Sequence, residues 1–425
     1  MKVLWFTNTP SLYQSKEKHS YHGGGWISSL QKLISKEDKI ELAISFFHEK
    51  DNTKKFQNDV TYYPILKESG KKKPLQTLFN KWHGKINQGQ YLSHIDAVVK
   101  DFQPDIIHVF GTENIFGRVQ NHFDIPVVIH LQGLINPYLN AYYPPGVSSL
   151  NFYFDRKNWY DHLLGRSVPF AFKNFIDRAK NEKKILKNVK YVMGRTHWDK
   201  MIAELYNPAV NYYHINEVLR PCFYDDLKNE YDTASNGKLI ITSTISSTIY
   251  KGIDLILKTA KFLTEEAKID FSWHLIGLDK NDIIADLFKK KFNIDYEKTG
   301  IKFLGVNDER ELLQNLKRSH LFVHPSYIDN SPNSVCEAQI IGLPVIACNV
   351  GGISSLISHH KTGCLIPSNG VHELASEIIL FYKNKTLLKN IGISARNQAM
   401  IRHDKESILK NIVTCYEQIT NQNDL

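Results

Sequence analysis

The stretch "HLFVHPSYIDNSPNSVCEAQIIGLPVIACNVGG", residues 320–352, decides the fold. A short apolar run, "LFV", stops at His324-Pro325-Ser326. A polar loop follows, then a segment with helical spacing, and then a second apolar run, "LPVIACN", that ends in Gly351-Gly352. Two buried runs joined through a helix make a parallel strand pair, because parallel strands need a long crossover. Within the loop, Ser331-Pro332-Asn333-Ser334 marks the entry into the helix. Asn333 or Ser334 reads as the cap and Glu337 as a first-turn residue. A helix start offers free amides to an anion, and an ionised carboxylate suits paired hydroxyls such as those of a ribose. Glu337 is equally explained as a favourable charge near a helix N-terminus.

The same grammar extends outward. In the first half the apolar runs are "KVLWFT", "IELAISFF", "DIIHVF", "IPVVIHL" and "VKYVMG". In the second half they are "KLIITST", "FSWHLIG", "IKFLG", "HLFVHPS", "LPVIACN" and "GCLIP". Segments with apolar residues three and four apart, such as "KGIDLILKTAKFL", lie between them. The fold class is therefore α/β, with two parallel sheets, one per half. The polar, turn-prone stretch at 220–238 places the join near residue 225, giving domains 1–225 and 226–402. A terminal helix, 403–425, is left to pack on either one, including back on the first domain. Residues 136–180 break the alternation, with a dense run of aromatics that includes Tyr142, Tyr143, Phe152, Phe154, Trp159 and Tyr160 beside a basic segment. That reads as a helical insertion on the sheet or as an interfacial surface.

The 425 residues are 42% hydrophobic and 23% charged, which suits a soluble globular protein of two or three domains. "MKVLWFTNTP" is too short in its apolar run for a secretory signal, and no segment reads as a membrane span, so a cytoplasmic location with at most peripheral membrane contact is expected. Cysteines 222, 336, 348, 364 and 415 lack CxxC spacing and read as buried thiols with no disulfide or metal framework. The net charge of +9 indicates anionic partners, but no nucleic-acid-binding module accompanies it, and no GxGxxG fingerprint supports a dinucleotide enzyme.

Two further stretches carry chemistry. In "HGGGWISSLQKLI", Gly23, Gly24 and Gly25 before a helix let the backbone approach an anion, although a structural turn explains a glycine triplet as well. In "ISSTIYKGIDLIL", the hydroxyls of Ser246, Ser247 and Thr248 precede Lys251-Gly252 at a helix start, where a lysine can neutralise a phosphate. Loops of this kind at the carboxyl ends of parallel strands are where open α/β sheets bind ligands.

Residues from "IKFLG" through "HPSYIDNSPNSVCEAQIIGLPVIACNVGGI" to "KTGCLIP" resemble the donor-binding half of family 4 glycosyltransferases. "HGGGW" and "PDIIHVFGTE" resemble the acceptor-side half. The resemblance implies a GT-B fold, two facing Rossmann-like domains with a cleft between them. It also implies retaining transfer of a hexosyl group from a nucleoside diphosphate sugar, expected to be a UDP-sugar, with no cofactor and no metal. Some relatives alike in these features build surface polysaccharides, so a saccharide acceptor carried on a lipid is the expected partner.

By position the resemblance assigns Glu337 to the ribose, with Gly305 and Val306 at the base. Lys251 stabilises the leaving diphosphate, and Asp329 meets the sugar. Gly23, Gly24, Gly25, Ser246, Ser247, Ser331, Pro332, Asn333 and Ser334 surround the diphosphate and sugar, and His130, Gln132 and Arg195 stand on the acceptor side. Three departures stand out. Asp329 replaces the usual glutamate, Ser246 stands where an arginine is common, and Gln132 stands where a histidine is common. Gln132 cannot take a proton, and His130, two places earlier, reads as a core histidine rather than a base. These departures also motivate a second reading, a nucleotide-sugar or glycan-binding protein with impaired catalysis.

Overall fold

The computed structural model describes residues 1–14, 25–67, 88–152, 164, 167–225 and 238–423. It forms two compact units. The first comprises Met1–Leu139, Ser148–Val218 and Lys405–Leu425, and the second Asn140–Val147 and Leu219–Asp404.

The first unit holds β1 (Lys2–Thr7), β2 (Glu41–His48), β3 (Lys55–Gln57), β4 (Val60–Leu66), β5 (Ile106–Phe110), β6 (Val127–His130), β7 (Tyr191–Gly194) and β8 (Asn211–His214). They form one sheet in the order β3-β4-β2-β1-β5-β6-β7-β8. Only the β3–β4 pair is antiparallel. Val3, Leu4, Trp5 and Phe6 of β1 are fully buried, which an apolar run in a central parallel strand requires on both faces. Helices α1 (Gly25–Ile34), α2 (Gln88–Phe102), α3 (Val168–Asn188) and α4 (His197–Tyr206) belong to this unit. Ser167 caps α3 by accepting from the Phe170 amide, and Thr196 and Asp199 form a reciprocal capping box on α4.

Strands β3, β4 and β8 have no counterpart among the sequence-read runs. β3 and β4 form a hairpin whose two linking residues, Asn58 and Asp59, both take positive φ, as a tight two-residue hairpin turn demands. Pro64 argues against a strand, yet β3 pairs only with Val60–Tyr62, so Pro64 has a neighbour on one side alone and no ladder bond is lost. β8, "NYYH", lies at the far edge and is largely open to solvent, so it carries no apolar run.

The second unit holds β9 (Leu239–Thr244), β10 (Phe271–Ile276), β11 (Ile301–Gly305), β12 (Leu321–His324), β13 (Val345–Cys348) and β14 (Cys364–Ile366), all parallel, in the order β11-β10-β9-β12-β13-β14. Its helices are α5 (Ile253–Glu265), α6 (Ile283–Phe292), α7 (Glu309–Lys317), α8 (Asn333–Ile340), α9 (Val371–Lys383) and α10 (Lys385–Arg402). The chain starts mid-sheet at β9, builds outward through β10 and β11, then crosses back to β12. β9 and β12 therefore flank the switch point, where the loops leaving two adjacent strands diverge and open a crevice.

The terminal helix α11 (Lys405–Asn423) groups with the first unit. Its Tyr416 is fully buried there. The hydroxyl accepts from the Trp5 indole at 3.1 Å and lies 2.6 Å from His108 Nδ1. Asn140–Val147 groups with the second unit, where Tyr142 packs against Tyr250 and the Gly146 carbonyl accepts from Lys291. Phe154, Trp159 and Tyr160 lie outside the described residues. Among the described residues no helix is long and apolar enough to cross a membrane.

Candidate functional site

The two loops at the switch point of the second sheet are stitched together. After β9 the chain makes a turn at Ile249–Lys251, and Gly252, at φ 78°, caps α5. A Cβ at Gly252 would collide with the Pro325 carbonyl oxygen in the loop after β12, so glycine is required by contact as well as by φ. The Tyr327 amide donates to the Tyr250 carbonyl at 2.9 Å. Lys251 Nζ donates to Asp329 Oδ2 at 2.6 Å, and His324 Nε2 lies 3.2 Å from the same oxygen. A third loop joins from β13. The Gly352 amide donates to the Asp329 carbonyl at 3.0 Å, and Gly351, at φ 53°, sits where a Cβ would strike that carbonyl.

Asp329 is thus the point on which three loops converge, and it is 8% exposed. Burial alone raises its pKa, but the Lys251 charge and the neighbouring His324 ring outweigh burial and hold the carboxyl below its ordinary range. Burial likewise pulls Lys251 down, and the Asp329 charge more than compensates, leaving the ammonium raised. For His324 burial wins over Asp329, so the ring is held below the usual imidazole range. Behind this group, Asp254 of α5 is buried and accepts from Tyr327 Oη at 2.8 Å and from Lys258 at 3.0 Å, which fixes the loop after β12 to α5.

Two details of α8 differ from the expectation drawn from spacing. Its N-cap is Pro332, at φ −71° and ψ 121°, rather than Asn333 or Ser334, and no side chain caps it. Proline, restricted to this extended geometry, ends the loop without supplying a side-chain acceptor. Nor does Glu337 fall in the first turn. It is the fifth helical residue, 2% exposed, and both its oxygens accept from Arg220, from Nε at 2.7 Å and Nη2 at 2.6 Å. A carboxylate that deep needs a cation, and a bidentate guanidinium satisfies it.

The remaining donor-side residues line the same sheet end less tightly. Ser246 and Ser247 are exposed after β9, and Ser331 is buried beside Cys336. Gly305, at φ 65°, ends β11, and Val306 after it is 74% exposed, an unusual position for a valine.

In the first unit the acceptor-side set is mostly core. Gly23 and Gly24 lie outside the described residues, and Gly25 opens α1. His130 is fully buried, edge-on to Trp26 and stacked with His108. Burial first, then its neighbours His108 and Arg195, hold it well below the ordinary imidazole range. Arg195 is 4% exposed. It donates to the Leu131 carbonyl at 3.3 Å, lies 3.7 Å from Glu217 and sits over the Trp26 ring. Gln132 is half-buried at the end of β6.

Three pairings that the sequence did not reveal emerge here. His324 and Arg220 partner the two carboxylates. At the switch point of the first sheet, between β1 and β5, Asn8 donates to Glu113 at 3.2 Å, over Gly111 at φ 84°. Burial raises the Glu113 carboxyl.

Comparison with known proteins places this geometry. Residues 227–398 match the family model described as Glycosyl transferases group 1. The N-acetyl-alpha-D-glucosaminyl L-malate synthase of Bacillus anthracis is 28% identical over 193 residues, 45% of this chain and 49% of that protein. The N,N'-diacetylbacillosaminyl-diphospho-undecaprenol alpha-1,3-N-acetylgalactosaminyltransferase of Campylobacter jejuni is 26% identical over 172 residues, 40% of this chain and 42% of that protein. The matched region thus spans about half the length of these relatives. The Anabaena protein HepE, solved in complex with UDP, superposes with a TM-score of 0.62 at 15% identity, covering 98% of this chain and 100% of that one. The chain has the GT-B glycosyltransferase fold, and its second unit carries the segment that matches the group 1 model.

Proposed function

We propose that the protein is a retaining glycosyltransferase that moves a sugar from a UDP-sugar to a saccharide acceptor carried on a lipid, in the building of a surface polysaccharide. The observation that carries this reading is the Lys251–Asp329 pair at the switch point, below the uncapped start of α8. A cation, free amides and a buried carboxylate are the groups a sugar diphosphate needs: charge for the phosphates, an acceptor for sugar hydroxyls. HepE's complex with UDP and the undecaprenol-linked substrate in the Campylobacter relative's name support the choice of donor and acceptor class.

In this reading Glu337 accepts from the ribose hydroxyls while held by Arg220, and Gly305 and Val306 border the base. The amides of Asn333 and Ser334 meet the diphosphate, with Ser246, Ser247 and Ser331 near it. As the glycosidic bond breaks, negative charge grows on the departing phosphate oxygen, and Lys251 stabilises that charge more than it stabilises the bound donor. Asp329 holds a donor-sugar hydroxyl. Both carboxylates are engaged by cations, which leaves neither set up as a free nucleophile. Attack by the acceptor on the face of the leaving group, with a phosphate oxygen taking its proton, fits this arrangement.

A thermal-shift screen of UDP-, GDP- and ADP-sugars tests the reading, since a ligand bound only by the folded state raises its stability. UDP-sugars are expected to raise Tm most. Stabilisation without any transfer or donor hydrolysis would support the binding-protein reading instead.

A further inference from the structure

At the opposite end of the second sheet, the loop "HHKTGC", residues 359–364, enters the edge strand β14. It has none of the paired-cysteine spacings that mark a metal site in a sequence, yet the fold gathers ligand-type groups there. One ring nitrogen of His359, one of His360 and Sγ of Cys364 lie within 4.8 Å of one another. Successive side chains of an extended chain point to opposite faces. Here His360 takes φ 58°, a left-handed conformation disfavoured for a non-glycine residue, and the two imidazoles come to 4.0 Å between centroids. The loop closes through the His360 amide, which donates to the Gly363 carbonyl at 2.7 Å.

Glu377 of α9 completes the group. Its Oε1 lies 2.9 Å from His360 Nε2, and the carboxylate also stands against the Cys364 thiol. Cys364 is fully buried beside it, while both histidines are exposed. A carboxylate on the outer nitrogen of an imidazole is the usual device for orienting a metal-ligating histidine.

We propose that His359, His360 and Cys364 bind one divalent transition-metal ion of the zinc class, with Glu377 orienting His360 and water completing the coordination. Two imidazoles and a thiolate select such an ion, whereas Mg²⁺ and Ca²⁺ take oxygen ligands. On binding, the Cys364 S–H bond gives way to a metal–sulfur bond and the proton leaves to solvent, so no oxidant or reductant is involved. The His359 Nδ1 lone pair now accepts from the Leu365 amide at 3.0 Å. A metal taking that nitrogen displaces this one hydrogen bond, which the stronger metal–ligand bonds more than replace. Cys364 begins β14, whereas Lys251 and Asp329 follow the carboxyl ends of their strands, so the ion clamps the 359–364 loop to α9 without touching the reacting groups.

The test uses the full chain, stripped with a chelator and titrated with Co²⁺. Saturation at one equivalent is expected, with a near-ultraviolet thiolate-to-cobalt band that Zn²⁺ abolishes by displacement. Cys364→Ser should lose the band, while Cys222→Ser should keep it. His359→Ala, a change at an exposed position, should weaken binding at least tenfold and abolish the rise in Tm that Zn²⁺ gives the wild type. No saturable binding, a thiolate band that survives Cys364→Ser, or a zinc-induced Tm rise unaffected by His359→Ala overturns the proposal.

Discussion

Lys251 Nζ stands 2.6 Å from Asp329 Oδ2 across 78 residues of sequence, joining the loops that leave two neighbouring strands. Lys251→Ala removes a cation that touches this carboxylate while leaving Asp329 mostly buried. Because the pair retains some solvent contact, the expected stability loss is about 1–3 kcal/mol, below that of a fully buried pair. The expected loss in transfer rate is larger, about a hundredfold, with UDP-sugar affinity changed only severalfold. Steady-state kinetics on a saccharide acceptor checks this, and a turnover within twofold of wild type would remove Lys251 from the chemistry.

Gly351→Ala and Gly305→Ala separate contact from conformation. Both glycines have positive φ, but a Cβ at Gly351 meets the Asp329 carbonyl, whereas at Gly305 it meets nothing within 4 Å. Gly305→Ala should cost about 1–2 kcal/mol, the conformational penalty alone. Gly351→Ala should cost clearly more and displace Asp329, with donor binding lost as well. Urea unfolding of the two variants gives the comparison, and equal midpoints would contradict it.

Arg220 and Glu337 separate stability from recognition. Arg220→Met strands a buried carboxylate and should cost about 3–5 kcal/mol. Replacing both by Met removes the stranded charge and should recover most of that stability, yet UDP binding should stay weak because the ribose acceptor is gone. Calorimetry decides the matter: a double variant that binds UDP like the wild type would assign Glu337 a purely structural role.

The histidine stack of the first unit makes it acid-sensitive. Burial pushes His108 down to about 3 and holds His130 well below its ordinary value. Between those folded values and the unfolded value near 6.5, the unfolded chain binds more protons than the folded one, so stability falls as pH drops through that window. Asp329 adds a loss only below about pH 4, where its unfolded form protonates. His130→Phe should flatten the decline in urea midpoint between pH 7.5 and pH 5. An unchanged slope would mean that the ring is not neutral in the core.

What was legible in the sequence follows from which interactions are local. Central strands show as apolar runs because both faces are buried, so β1, β5, β9, β12 and β13 could be read directly. The hairpin of β3 and β4 and the edge strand β8 were not legible, since edges need not be apolar and Pro64 misleads unless its unpaired side is known. Asp329, Lys251 and Glu337 carry local motifs and could be selected. Their partners could not: Arg220 meets Glu337 across 117 residues, and His324 looked only like the end of a strand. The cap and turn of α8 were misread by one or two positions because a proline fills the place where a capping hydroxyl or amide is usual.

The central claim is that the switch point of the second sheet binds and activates a UDP-sugar. Its most direct measurement is UDP release from a panel of UDP-sugars, with and without saccharide acceptors, by wild type and Lys251→Ala side by side. The account predicts that wild type releases UDP from at least one UDP-sugar, faster with an acceptor, and that Lys251→Ala does so about a hundredfold more slowly. Equal release by both proteins, or none by wild type from any UDP-sugar, would contradict it.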